Sequence, residues 1–234
     1  MTATIVLDEF TTVLQPIRDL VSGRTVGFEA LTRTRRDSGS AVEEWLAAAR
    51  DLNLHAELEI RLARAALRTL YVIPTGAFLS LNVSPDVLVD PRFTHMVGGT
   101  RLDRVVLEIT ENQRVTDYGT LAARVGWLRS RGARIAVDDV GSGYSTLGHV
   151  VQVHPEMIKL DAGLTRGVDV DDTRRLLVEA LSSFARATRA ILVAEGVESD
   201  KELDALRRAG VHYGQGYHLG RPRPVGEMAA VRIP

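Results

Sequence analysis

Acidic, amide and amine side chains recur where apolar runs of this sequence end. Glu29 follows Val26-Gly27-Phe28, Asn82 follows Phe78-Leu79-Ser80-Leu81, and Glu108 follows Val105-Val106-Leu107. Asp138 and Asp139 close Arg134-Ile135-Ala136-Val137, and Lys159 and Asp161 sit at the end of Met157-Ile158. Glu195 and Glu198 follow Leu192-Val193-Ala194, and Gln215 stands in a Gly-Gln-Gly segment. Carboxylates brought together on buried strands repel one another unless something positive sits among them. Hard oxygen donors from Asp, Glu and Asn suit Mg²⁺ or Mn²⁺, and a pair of such ions can activate water and stabilise a leaving oxygen in phosphoryl chemistry.

Each residue also has a plainer reading. A single Glu at a strand end is commonly a salt-bridge partner, and Asp138-Asp139 alone suits a turn or a helix cap. Lys159 and Asp161, two apart and so on one strand face, suit an internal ion pair. Arg33 fits a phosphate clamp or an ordinary surface cation. Gly141 and Gly143 fit a close backbone approach or a flexible turn. Repetition favours a shared centre over a set of unrelated surface pairs.

The elements that must position these groups follow from periodicity. Strands are predicted at 12–17, 26–31, 78–83, 105–109, 134–137, 157–160 and 190–194, with a weak one near 215–219; several lack alternation, as strands buried on both faces do. Helices are predicted at 42–52, 55–70, 120–131, 172–187 and 200–209. Their inward stripes are Leu121, Val125 and Leu128; Leu177, Leu181 and Phe184; and Leu203 and Leu206. Gly210 reads as a helix stop. The short 19–24 turn with Ser22-Gly23 predicts an antiparallel hairpin, and the β-α alternation after it predicts parallel strands. The sum is an α/β fold, a TIM-like (β/α)8 barrel, whose active site would lie at the strand C-termini. A doubly wound open sheet is the alternative, weakened by the lack of a Gly-x-Gly-x-x-Gly after the first strand.

Composition bounds the rest. The chain has 234 residues, 45% of them hydrophobic, with 29 basic and 30 acidic residues and no cysteine. That length suits one domain spanning 1–234. The near-zero balance predicts no long nucleic acid partner. Thiol nucleophiles, thiolate metal sites and disulfides are excluded. No signal peptide or membrane-spanning run is visible, which predicts a cytoplasmic protein without membrane insertion. The histidines show no paired metal-ligand spacing.

Taken in order, these motifs resemble the EAL-domain family of cyclic di-GMP-specific phosphodiesterases. The matches are Gln15-Pro16-Ile17, Glu29-Ala30-Leu31-Thr32-Arg33, Asn82-Val83-Ser84-Pro85, Leu107-Glu108-Ile109-Thr110-Glu111, Asp138-Asp139-Val140-Gly141-Ser142-Gly143-Tyr144-Ser145, Lys159-Leu160-Asp161, Glu195-Gly196-Val197-Glu198 and Gln215-Gly216-Tyr217. The resemblance implies a barrel with its first strand antiparallel to the others and hydrolysis of cyclic di-GMP to linear pGpG. It implies two Mg²⁺ or Mn²⁺ ions on Glu29, Asn82, Glu108, Asp138, Asp139 and Glu195, with Ca²⁺ inhibitory. Lys159, with Glu29 and Glu195, would serve catalysis by positioning or deprotonating the attacking water. Arg33, Gln15 and Gln215 would contact substrate. Glu198, Gly141 and Gly143 would support the loop after Asp139. That loop implies a homodimer contact, with Val140 and Ser142 departing from the Phe and Thr usual there. The segment 34–43 is short and lacks the family's proline. Metal ions sharing the cavity would push the Lys159 pKa down. Two other classes compete: an inactive EAL fold acting as a cyclic di-GMP receptor or protein-interaction module, and a metal-dependent lyase barrel.

Overall fold

The computed structural model describes residues 10–34, 41–109, 117–141 and 146–230. It begins with two antiparallel strands, β1 (Phe10–Asp19) and β2 (Thr25–Thr34). Asp19 shapes the turn between them: its Oδ1 accepts hydrogen bonds from the amides of Val21 and Ser22, and Gly23 takes a φ of 71° that a side chain would resist. The pairing sets Gln15 opposite Glu29.

Then follow α1 (Ala41–Asp51), α2 (His55–Arg68), β3 (Phe78–Asn82), α3 (Pro85–Val89), α4 (Pro91–Val97) and β4 (Val105–Ile109). Next come α5 (Tyr118–Ser130), β5 (Arg134–Val140), α6 (Thr146–Val153), β6 (Met157–Leu160), α7 (Ala162–Thr165) and α8 (Asp172–Thr188). The chain ends with β7 (Ile191–Ala194), α9 (Asp200–Arg208), β8 (Tyr213–Gly214) and β9 (Arg223–Pro224). Strands β2 to β8 pair in parallel, and β8 then pairs antiparallel with β1, which closes the sheet. This is the barrel that the sequence predicts, with its first strand reversed. No helix among the described residues is long and apolar enough to cross a membrane.

Two large apolar clusters fill the space between strands and helices, and a third lies inside the barrel. The inner one contains Ile17, Phe78, Val106, Ala136, Met157 and Val193. Side chains two apart on a strand share a face. The next inward positions toward the strand C-termini are therefore Ser80, Glu108, Asp138, Lys159 and Glu195, with Gln15 reached on the reversed strand. An apolar floor thus carries a polar layer directly above it.

Two expectations change. The last barrel strand is 213–214, ahead of the predicted 215–219, because Gly216 is pressed against the Val197 backbone and the chain turns there. A Cβ on Gly216 would lie 2.2 Å from the Val197 amide nitrogen and carbonyl oxygen. The inner face of α8 is centred on Val178, Ser182 and Ala185; Leu181 and Phe184 are partly buried against the same core, as expected, while Leu177 is exposed. Ser182 turns inward because its hydroxyl donates to the Gly210 carbonyl at 2.9 Å. Val140 is only 2% exposed and belongs to a shell core, and residues 142–145 of the loop expected at a homodimer contact lie outside the described residues.

One carboxylate ties the loop after β7 to the rest of the shell. Glu202, in the first turn of α9, accepts from the amides of Glu198 (2.9 Å), Ser199 (3.0 Å) and Gly167 (3.1 Å), and Ser199 caps the helix in return. Burial pushes its carboxyl up, but these donors outweigh that and hold it below the usual range. A carboxyl depressed in the folded state contributes stability that is present above its unfolded pKa and lost as pH falls through the folded one. Glu202→Ala should therefore cost about 1–3 kcal/mol in urea unfolding at neutral pH, the scale for stranding buried donors. The gap between variant and wild type should shrink below about pH 4. A pH-independent gap would show that the charge of Glu202 contributes nothing.

Candidate active site

The centre of the polar layer is Lys159. Its side chain is 2% exposed, and Nζ lies 2.6 Å from Glu195 Oε1, 2.8 Å from Glu108 Oε2, 3.2 Å from Asp138 Oδ1 and 3.7 Å from Glu29 Oε1. Lys159 and its four partners stand on five different strands or their ends, so only the closed barrel assembles them. Burial alone would lower the pKa of this amine. The four carboxylates outweigh burial and raise it well above the usual lysine value. The sequence expectation of a lowered pKa assumed cationic neighbours, and the protein itself supplies anionic ones.

Two of the carboxylates are also shifted upward, in their case toward the neutral form. Burial, with Glu29 and Asp138 as like charges, raises Glu108 well above its usual range although Lys159 opposes the shift. Glu195 is pushed up to about 8, by burial first and then by Asp138 and Glu29, again against Lys159. One ammonium does not balance this many acids.

Asp138 and Asp139 are adjacent, and on a regular strand adjacent side chains point to opposite faces. The β5–β6 register shifts between Val137 and Val140, and Asp139 takes a left-handed φ of 57°. This bulge breaks the alternation and lets both acids face the barrel mouth. The Asp139 amide donates to Asp138 Oδ1 at 2.9 Å. Carboxylate oxygens of Asp138, Asp139 and Glu195 all lie within 4.8 Å of one another, an all-oxygen set that fits a hard divalent cation. Gly141 follows at φ 113°, where a Cβ would strike the Leu164 side chain, so the turn out of the bulge needs glycine.

On the opposite side, Glu29 is held by amides. Asn82 Nδ2 donates to Glu29 Oε1 at 3.1 Å, and Gln215 Nε2 donates to Glu29 Oε2 and, at 3.0 Å, to Gln15 Oε1. Gln15 Nε2 donates in turn to the Gly220 carbonyl at 3.0 Å. Gln215 Oε1 is buried with no partner. Gln15 and Gln215 are buried beside Glu29, whereas Asn82 is exposed at the rim.

Other expected residues lie outside this cluster. Arg33 is exposed and its guanidinium donates to the neighbouring Thr32 carbonyl. Asp161 has left the strand and caps α7 by accepting from the Gly163 amide, so it is not the ion-pair partner of Lys159. Glu198 is exposed and pairs with Arg166 at 2.9 Å. Gly143 lies outside the described residues, as do Ser142, Tyr144, Ser145, Thr110 and Glu111. Sequence reasoning missed Ser80, which is 1% exposed and donates its hydroxyl to Glu108 Oε1. Its position two residues before Asn82, on the same face of β3, was the available signal.

The EAL domain sequence profile matches residues 2–222. The probable cyclic di-GMP phosphodiesterase PdeN of Escherichia coli is 28% identical over 233 residues, covering 94% of this chain and 45% of that protein. PdeI of the same organism, another probable cyclic di-GMP phosphodiesterase, is 30% identical over 93% of this chain and 29% of that one. The chain thus spans less than half the length of these curated relatives. Among solved structures, the calcium and cyclic di-GMP complex of Klebsiella pneumoniae BlrP1 superposes with a TM-score of 0.81 at 28% identity, over 93% of this chain and 57% of that one. The EAL domain of Mycobacterium smegmatis DcpA gives 0.77 at 26% identity over 96% of both chains. With a profile match across nearly its whole length, the motifs in order and the barrel closed in the same way, this chain belongs to the EAL domain family.

Proposed function

We propose that this chain is a metal-dependent phosphodiesterase that hydrolyses cyclic di-GMP to linear pGpG, acting as a single EAL-type catalytic unit. The observation that carries the reading is the acid cluster at the barrel mouth: Asp138, Asp139 and Glu195 within 4.8 Å of one another, with Lys159 Nζ 2.6 Å from Glu195 and 3.2 Å from Asp138. The relatives named for cyclic di-GMP, and BlrP1 complexes containing that ligand with calcium or manganese, support the choice of substrate and ions.

Asp138, Asp139 and Glu195 would hold one divalent ion, and Glu29, Asn82 and Glu108 would complete a second site. Such ions supply positive charge to the acid cluster and acidify bound water. Lys159, at the centre of these acids, would position the attacking water or take its proton. The water oxygen bonds to phosphorus, the bond to the ribose 3′ oxygen breaks, and that oxygen takes up a proton. The product is the dinucleotide with a free 5′ phosphate. Arg33, at the end of β2 beside the mouth, would meet a substrate phosphate after giving up its contact with Thr32. Gln15 and Gln215 line the inner wall, where they would contact substrate, and Gln215 holds Glu29. Every side chain needed for ion binding is retained, which favours catalysis over a receptor role.

Incubation with cyclic di-GMP and Mg²⁺ or Mn²⁺, followed by mass analysis, should yield pGpG. Ca²⁺ should bind yet support little turnover, because its longer, looser coordination misplaces water and phosphate. Equal rates with Ca²⁺ and Mg²⁺ would contradict this scheme. Asp138→Asn and Glu29→Gln should each abolish hydrolysis while circular dichroism stays native, and normal turnover by either would overturn the ligand assignment. Lys159→Met should lower kcat by about a hundredfold or more, the scale for a positioned acid–base group. Cyclic di-GMP binding measured by calorimetry with Ca²⁺ should change little. Near-normal kcat in that variant would leave Lys159 as a structural cation.

A further inference from the structure

Asn82 is the one exposed residue in the proposed ligand set, and it ends β3 where the chain must turn at once into α3. The turn lacks the usual means of fixing a helix start. Pro85, at the first helical position, has no N–H. Ser84, at the N-cap, makes no capping bond with its side chain, and its hydroxyl oxygen is buried without a partner. Two backbone amides hold the turn instead. The Val83 amide donates to the Glu108 carbonyl at 3.0 Å, as the sheet requires. The Ser84 amide donates to Glu59 Oε2 at 3.1 Å, a carboxylate from the neighbouring helix α2.

Glu59 is half-buried, and its flanking residues Leu58 and Ile60 are buried, so the backbone of α2 is locked at that point. A charged acceptor makes the stronger kind of hydrogen bond to an amide. The anchored amide lies two residues beyond Asn82, close enough to set the direction in which the Asn82 side chain leaves the strand. That direction has a definite outcome: Nδ2 donates to Glu29 Oε1 at 3.1 Å, and the amide oxygen, which accepts no hydrogen bond from the described residues, is left for a ligand.

We infer that Glu59 is a positioning residue, which acts through the Ser84 amide to aim Asn82 at the metal site. The inference rests on the function proposed above. It assigns Glu59 no contact with substrate or ion; its part is to keep the turn from relaxing when the exposed Asn82 takes up a ligand. Residues that orient ligands in this way typically control affinity by about 10–100-fold.

Calorimetric titration of the substrate-free protein with Mn²⁺ gives a readout separate from turnover. Glu59→Ala should weaken Mn²⁺ binding about tenfold or more. Glu59→Gln, which keeps an oxygen acceptor, should restore most of it. Ser84→Pro removes the same hydrogen bond from the other side. Proline fits the Ser84 φ of −66°, so this variant should give a similar loss and decides the matter if Glu59→Ala fails to fold. In an Asn82→Ala background, Glu59→Ala should cause little further loss. Unchanged Mn²⁺ affinity in a folded Glu59→Ala or Ser84→Pro protein, or an undiminished loss in the Asn82→Ala background, overturns the positioning role. If the wild type binds Mn²⁺ and forms pGpG in those same preparations, the proposed function survives that failure. A wild type that neither binds Mn²⁺ nor hydrolyses cyclic di-GMP overturns both.

Discussion

A lysine with almost no exposure to water would be costly to bury alone, and so would each of the acids around it. Lys159 is tolerable because four carboxylates reach its ammonium, and those acids are tolerable in part because the ammonium is there. Removing the ammonium from such an arrangement leaves the acids uncompensated, typically at about 3–5 kcal/mol. The arrangement also demands a closed sheet. Glu29, Glu108, Asp138, Lys159 and Glu195 come from different strands, and an open sheet would carry the first and last of them apart. The apolar floor formed by Phe78, Val106, Ala136, Met157 and Val193 keeps water out from below and fixes the height at which the charges meet.

The same alternation that builds the floor would limit the site to one acid per strand. The bulge in β5 removes that limit. It costs a broken register and a left-handed Asp139, a conformation that Asp tolerates better than most side chains. In return, two neighbouring carboxylates face one cavity. The bulge is held from several sides: the Asp139 amide bonds to Asp138, Gly141 lets the chain pass Leu164, and Val140 is buried in the shell behind it. Local strain of this kind persists where the surrounding packing over-determines it.

Much of this arrangement was legible in the sequence, and the physical reason is the strand period. Glu29, Glu108, Asp138, Lys159 and Glu195 each stand at a fixed step beyond an apolar residue, so strand ends and inward faces could be read together. The hairpin was legible from its turn residues. What escaped depends on contacts distant in sequence. Ser80 looked like an ordinary polar residue inside an apolar run until β4 brought Glu108 beside it. Leu177 satisfied helical spacing, yet Ser182 took the inner face of α8 because the Gly210 carbonyl waits there. Asp161 shared a spacing of two with Lys159, but the strand ends at Leu160, and the acid became a helix cap. The end of the barrel was misplaced by two residues because the closeness of Gly216 to the Val197 backbone leaves no trace in hydropathy.

The charge count explains why the two sides of the cavity are built differently. Glu29 is buffered by neutral amides from Asn82 and Gln215, which donate to both of its oxygens and add no charge. Across the cavity, Asp138, Asp139 and Glu195 stand close together, Lys159 brings an ammonium to Asp138 and Glu195, and burial drives Glu195 up to about 8. A structural ion-pair network gains stability by matching its charges, and this one leaves acids in excess on one side. A mismatch of that sign is a cost to the folded protein by itself and a gain once cations enter. That excess of acids around one buried ammonium is the feature on which the proposed cation sites rest.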